Sequence, residues 1–333
     1  MGFKITIGGA DFTSVITGTP QISDQLNANC RVLTFNVEQL KNPQDLLSYE
    51  VALQYNGATW FKGEVKRLGT TAEGNRTFTC YDPLFYFSRN PDDYYFKNQT
   101  GNQIIVSLAK ACGIKTASIA NTGVTFPYLY YKGAKPDKIA VDVLARTHSG
   151  NGKKFWYRYD PVADGLTLFE RKIAPQLWAF QLGVNILSAS KEDSVEDMCT
   201  VVKVINRETG AVSVKSDTKN KAYHGTTQYF EEVNNDVKNL DAYASEKLQE
   251  LNKVSTTMAL TGINPDAQMG QFYVGDAIYV EEPNTGMAGG YYIKNVTHTF
   301  LADDMVKMDF DLQYTPDLPA IQFQDADKKD TKK

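Results

Sequence analysis

A chain of 333 residues, 42% hydrophobic and 22% charged, is long enough for two to four compact units, each burying its own core. Its formal charge of -4 and the lack of a dense basic stripe argue against wrapping nucleic acid. No apolar run approaches the roughly 18 residues of a membrane span, and Phe3-Lys4-Ile5 enters alternating text with no signal-peptide core.

The 19 Tyr and 17 Phe favour half-buried strands and interfaces. The four cysteines, Cys30, Cys80, Cys112 and Cys199, stand apart, with no CxxC pair and no zinc-finger spacing. They read as reduced, buried thiols of a chain that folds in a reducing cytoplasm.

Residues 1–90 read as a first β-barrel. Lys4–Ile7 opens a strand that Gly8-Gly9 breaks, and Leu33, Phe35 and Val37 alternate with Thr34 and Asn36. Tyr49, Val51, Leu53 and Tyr55 lead into Asn56-Gly57, a pair suited to a tight turn with two positive φ angles, and Trp60–Val65 runs back. Arg76–Tyr81 adds a strand that Asp82-Pro83 stops. Leu84–Phe87 closes the unit.

Residues 91–175 read as an α/β unit. Thr100 and Gln103 form a capping box for a helix with Ile104, Ile105, Leu108 and Cys112 on one face, and Gly113 ends it. A second helix starts at Pro136, faces inward with Ile139, Ala140, Val143 and Leu144, and ends near Ser149–Gly152. Phe155–Tyr159 and Leu166–Glu170 form a hairpin around Asp164-Gly165.

Residues 176–222 read as the first part of a second β-barrel, with Met198–Asn206 and Ala211–Lys215 flanking Glu208-Thr209-Gly210. Residues 223–254 read as a helical insert that opens on Tyr223-His224-Gly225 and carries Leu240, Ala244, Leu248 and Leu251 on one face. Residues 255–316 complete the barrel with Ser255–Leu260, Phe272–Val280, Tyr291–Phe300 and Met305–Leu312. Residues 317–333 are expected to form a mobile tail, because Asp325–Lys333 is charged and has no apolar anchor. The expected fold class is therefore mainly β with α+β: two tube-like β-barrels, an α/β unit between them, and a helical insert in the second barrel.

Catalytic and metal signatures are absent from the text. His148, His224 and His298 are the only histidines, and none belongs to a zinc-binding pair. Alternation puts His298 on the face of Val296 and Phe300, as a partly buried, hydrogen-bonded imidazole. Ser149–Lys154 fails as a phosphate loop: Thr147 replaces the first glycine and Lys154 the final Ser or Thr. The acid pairs Asp92-Asp93, Glu231-Glu232, Glu281-Glu282 and Asp303-Asp304 point to opposite faces when on strands, unlike the facing acids of a glycosidase. Asp325 and Asp327 fail as a calcium loop, since Lys328 and Lys329 follow. No catalytic, cofactor-binding or metal-ligating residue is assigned, and no cofactor. Two other readings compete: a cell-wall hydrolase, and a carbohydrate-binding module that would need Trp60, Trp156 and Trp178 exposed on a sheet face.

The order of units resembles the baseplate hub of contractile phage tails, the prophage tail-hub and late control protein D family. The matching text is Asn56-Gly57 with Phe61–Val65 and Cys80-Tyr81-Asp82, then Asn98-Gln99-Thr100 with Gln103-Ile104-Ile105, and Phe155-Trp156-Tyr157 with Leu166-Thr167-Leu168. It continues in Tyr223-His224-Gly225, the helix with Ala242, Ala244 and Leu248, Gly275-Asp276 before Ile278-Tyr279-Val280, and Gly289–Ile293 with His298. The resemblance implies a structural, non-enzymatic homotrimer. Two barrels per chain would let three copies adapt a six-fold tail tube to a three-fold central spike. It further implies tail tube, spike, tape-measure and other baseplate proteins as partners, with no specific nucleic-acid binding and no membrane insertion. Assembly would take place in the bacterial cytoplasm, ahead of residence in the baseplate of the released particle, phage or bacteriocin-like.

Overall fold

A computed structural model describes residues 2–28, 30–38, 46–173, 178–234, 237, 239–264, 270–301 and 305–318. Asp303, Asp304, Asp325, Asp327 and the tail from 319 onward lie outside the described residues. The chain is mainly β and divides into two compact units, Met1–Ala189 with Ala259–Lys333, and Ser190–Met258.

The first unit begins with β1 (Phe3–Ile7), β2 (Ala10–Asp11), β3 (Ile16–Gln25), β4 (Val32–Val37), β5 (Glu50–Tyr55), β6 (Ala58–Thr70) and β7 (Arg76–Tyr81). The strands alternate buried and exposed side chains, as period-two text requires. Asn56 (φ 48°) and Gly57 (φ 80°) both take the left-handed conformation, so β5 and β6 fold back with Tyr55 opposite Ala58. Leu84–Phe87 lies in a 3-10 turn, Pro83–Ser88. The Asp82 carboxylate starts that turn by accepting from the Leu84 amide.

Next come β8 (Asp92–Thr100), α1 (Gly101–Ala111), β9 (Thr116–Ile119), β10 (Thr125–Ala134), α2 (Pro136–Asn151), β11 (Phe155–Asp160) and β12 (Gly165–Glu170). Both expected helices are present. The Thr100–Gln103 capping box forms, and Gly152 (φ 75°) stops α2. The expected hairpin becomes β11–β12, with β9 parallel to β12. A two-stranded sheet, β8–β10, joins them. Ile104, Leu108, Ile139, Val143, Phe155 and Leu166 share one core.

The chain then forms β13 (Ala179–Gln181) and β14 (Ile186–Ser194), and passes into the second unit with β15 (Val201–Asn206), β16 (Ala211–Ser216), α3 (Thr218–His224), β17 (Gln228–Val233) and α4 (Leu240–Leu251). It returns along β18 (Ser255–Ile263), β19 (Ala277–Glu282), β20 (Met287–Phe300) and β21 (Val306–Gln313). Among the described residues, thirteen strands make one sheet, ordered β14-β18-β21-β20-β3-β4-β7-β6-β5-β1-β2, with β19 on β20 and β13 on β19.

Two expectations need correction. Met198–Asn206 and Ala211–Lys215, read as strands of the second barrel, instead form β15 and β16 and pair with β17 in a separate sheet ordered β16-β15-β17. The cause is α4: Val202 and Val204 find their apolar cover in Ala244, Leu240 and Leu248. The insert therefore includes strands and is more than helical. Secondly, Phe272–Val280 is not one strand. The Phe272 amide donates to His298 Nε2 (3.3 Å) and the Val274 amide to Asp24 Oδ2 (3.1 Å), so side chains replace the ladder there, and backbone pairing resumes only where the Gly275 amide donates to the Ile293 carbonyl (3.1 Å).

Gly262 illustrates how tightly the large sheet is packed. A Cβ there would lie 2.4 Å from Phe180 Cε1. Phe180 is fully buried, with ring centroids 5.6 Å from Phe272 and 5.2 Å from Phe310, so it has little room to retreat. Gly262→Ala is expected to cost about 1–3 kcal/mol in urea unfolding. An unchanged midpoint would show that the ring can yield freely.

Candidate functional site

The polar residues with the most unusual surroundings lie in the first unit, where β3, β4 and β7 meet β11 and the 271–276 segment. Arg31 is buried there. Its backbone amide donates to Asp82 Oδ2 (2.9 Å), and its Nη1 donates to the Trp60 carbonyl (2.9 Å) and Gln271 Oε1 (3.2 Å). The guanidinium lies 4.5 Å from the Tyr273 ring centroid, and Arg158 stands 4.2 Å from the same ring. Arg158 in turn pairs with Asp276 at 2.7 Å. Two cations thus flank one phenol, an arrangement the ring quadrupole favours.

Two buried carboxylates complete this seam. Burial raises the Asp24 pKa, opposed by Arg31 and the Val274 amide. Burial also pushes Asp82 up to about 7, against hydrogen bonds from the Arg31 and Leu84 amides and the Arg31 charge. His298 is fully buried, edge-on to Trp60 at 5.4 Å, as a core imidazole. Burial, with Arg31 nearby, lowers its pKa to about 3. The cavity lined by Asp24, Cys30, Arg31, Asp82, Tyr157 and Arg158 measures about 10 Å3. That volume admits about one water and no sugar ring or peptide. The seam fastens the 271–276 segment to the sheet.

Among the described residues, the acid pairs serve local structure. Glu232 pairs with Arg207, and Glu231 accepts from the Tyr243 hydroxyl (3.1 Å). Glu282 accepts from the Thr285 amide (2.7 Å), Glu281 from Gln181 (2.7 Å), and Asp93 from the Gly133 amide (2.7 Å). His148 lies at the end of α2, His224 ends α3, and His298 is in β20. Among the described residues no group of three or more His, Cys, Asp or Glu is placed to hold a metal, and no helix is long and apolar enough to cross a membrane. The four cysteines are free; Cys80 is buried and the other three half-buried. Trp60 and Trp156 are buried and only Trp178 is exposed, which removes the main support for stacking sugars on tryptophan.

What the molecule does offer is strand edges and sheet faces. The hydrogen-bonding edge of β1 is blunted: Ile5 donates to Thr13 Oγ1 (3.1 Å) and accepts from the Phe12 amide (2.9 Å). On β8–β10, Tyr95 and Tyr128 stand exposed with ring centroids 5.0 Å apart. Trp178, Leu182, Val184, Leu187 and Tyr279 are exposed around β13 and β19, and Val212, Val214 and Phe230 on the sheet of the second unit. Exposed apolar patches of this kind mark contact surfaces. Sequence reading missed these surfaces and the Arg31 seam.

Comparison with known proteins agrees with this picture. The phage-like element PBSX protein XkdQ of Bacillus subtilis (strain 168) is 29% identical over 259 residues, 75% of this chain and 77% of that protein. The crystal structure of the prophage MuSo2 43 kDa tail protein from Shewanella oneidensis has a TM-score of 0.68 at 15% identity, covering 93% of this chain and 97% of that one. The Escherichia coli c3393 protein, a type VI secretion component described as similar to the T4 tail proteins gp27 and gp5, has a TM-score of 0.53 at 12% identity, covering 96% and 77%. The likeness to tail proteins that the sequence suggested is therefore shared by the fold. A family model described as YQBQ-like matches residues 21–313, and the chain belongs to that family.

Proposed function

We propose that the chain is a structural baseplate hub of a contractile tail or tail-like particle. In this reading three copies form a ring that carries the six-fold tube on one face and seats the three-fold spike on the other. The observation that carries it is the near end-to-end likeness to the MuSo2 tail protein. The relationship to XkdQ, a protein of a phage-like element, and the likeness to a protein compared with gp27 and gp5 support it.

The strand order of the large sheet supports this reading. Strands β1–β7 are contiguous along it, and β13, β14 and β18–β21 occupy its other half, joined where β20 pairs with β3. We read the halves as two tube-like barrels, so that three chains present six similar surfaces. A permanent ring of this kind buries more than about 2,000 Å2 per interface. Partners would be the tube, spike, tape-measure and other baseplate proteins, met after folding in the bacterial cytoplasm. We assign no catalytic activity and no cofactor.

Co-expression with the neighbouring spike and tube proteins, followed by electron microscopy, tests this reading. The expected result is a three-fold ring bound to the spike. Clearing of purified cell walls by the chain, abolished by one Asp or Glu substitution, would overturn it.

A further inference from the structure

The Arg31 seam holds buried polar atoms that no described residue serves. Nη1 of Arg31 donates to the Trp60 carbonyl and to Gln271 Oε1. Its Nε and Nη2 atoms, which carry the remaining protons of the guanidinium, have no hydrogen-bond partner among the described residues. The Tyr157 hydroxyl has none either. Arg31 and Tyr157 are each 3% exposed, so bulk solvent does not reach these atoms. Such groups are rare in folded proteins, because each forfeits the hydration it had in the unfolded chain.

Both residues line the same small cavity, together with Asp24 and Asp82. Its volume, about 10 Å3, is that of about one water-sized sphere. The groups around it decide what it takes. The unserved atoms of Arg31 can only donate, so the occupant has to accept hydrogen bonds, which no cation does. A halide accepts, but here it would sit beside two carboxylates, and like charges repel strongly where water is scarce. Water meets both demands, since it offers lone pairs to Arg31 and protons to a carboxylate. Asp82 has capacity for one more donor. Its Oδ1 accepts from the Leu84 amide and its Oδ2 from the Arg31 amide, 2.9 Å in each case, which uses two of about four lone-pair positions.

We propose that one buried water is an integral part of the seam, accepting from an Arg31 N–H and from the Tyr157 hydroxyl and donating to Asp82. Arg31 immediately precedes β4 and Asp82 immediately follows β7, whereas Tyr157 lies in β11. The water therefore ties the large sheet to the β11–β12 hairpin at a point where Tyr157 makes no hydrogen bond of its own to the described residues. This site is independent of the hub reading.

Tyr157→Phe removes only the hydroxyl and separates the alternatives by sign. A buried phenol with no partner is better replaced by phenylalanine, and the variant would then be as stable as wild type or more so. A phenol bonded to a held water loses that bond. The unfolding equilibrium constant from urea titration is therefore expected to rise about two- to tenfold. A high-resolution crystal structure of the full chain locates the occupant. The expected result is one density peak within about 3.2 Å of Tyr157 Oη and of Arg31 Nε or Nη2, with no anomalous signal after a bromide soak. Unchanged or increased stability of Tyr157→Phe overturns the proposal. An anomalous peak in the cavity also overturns it, by making the occupant an anion, and so does the lack of any peak there. Should the variant fail to fold by circular dichroism, the wild-type density decides alone.

Discussion

Replacing Arg31 with methionine is expected to cost about 3–5 kcal/mol, the range for breaking a buried charge arrangement from one side. The side chain touches three separate parts of the first unit. It donates to the Trp60 carbonyl at the start of β6, to Gln271 in the irregular segment, and it packs on Tyr273. Methionine fills much of the volume but supplies no donor. The Trp60 carbonyl and Gln271 Oε1 would lose a partner, though Gln271 keeps its own bond from Nε2 to the Thr59 carbonyl (3.1 Å). Asp24 and Asp82 would lose the nearest positive charge that opposes their desolvation. Arg31→Lys should cost less, about 1–3 kcal/mol, because it keeps the charge and loses the planar fork and the stacking on Tyr273. Urea midpoints with unchanged slope measure both variants. An Arg31→Met variant within about 1 kcal/mol of wild type would show that the seam contributes little to holding the 271–276 segment.

The parts of this fold that local chemistry decides were legible from the text. Asn56-Gly57 had to turn, because two positive φ angles in a row suit those residues. Thr100 with Gln103 had to start a helix, and Pro136 could open another at no cost in hydrogen bonds. Gly210 (φ 72°) likewise closed the Asn206–Ala211 hairpin. What local chemistry does not decide was misread. The alternation in Phe272-Tyr273-Val274 looks like a strand, yet its amides are taken by His298 and Asp24, which stand 26 and 250 residues away. Val201–Asn206 is a strand as expected. Alternation says only that such a strand wants cover on one face; it cannot say that α4, and not the large sheet, provides it. Arg31 carries no motif at all. Its role comes from Trp60, Asp82, Gln271 and Tyr273 converging on it in space, and no spacing rule connects those residues. The exposed apolar faces were equally hidden, since an exposed valine on β16 reads the same in sequence as a buried one.

Asp82 and His298 should give this unit opposite responses to acid, each visible as a difference between wild type and one variant. Asp82 has its folded pKa raised to about 7. The native state therefore holds that proton more tightly than the unfolded chain does. Its contribution is fully present below the unfolded value of 3.8 and is lost as pH rises through about 7. His298 has its folded pKa lowered from 6.5 to about 3. The native state resists protonation, so its contribution is present above 6.5 and is lost as pH falls towards 3. Each pKa unit corresponds to about 1.4 kcal/mol, which bounds either swing at about 5 kcal/mol. Between about pH 4 and 6.5 the two slopes oppose, with Asp24 adding to the Asp82 side because burial raises it too. Urea unfolding of wild type, Asp82→Asn and His298→Gln across this window separates them. Asn retains an acceptor for one of the two amides held by Asp82, and Gln retains one for the Phe272 amide, so both variants keep part of the seam. The stability gap between wild type and Asp82→Asn should widen as pH falls from 7 to 4. The gap between wild type and His298→Gln should narrow over the same descent. Gaps that run parallel with pH would mean that neither group titrates differently in the folded and unfolded chain, and that the seam is wetter than its geometry implies.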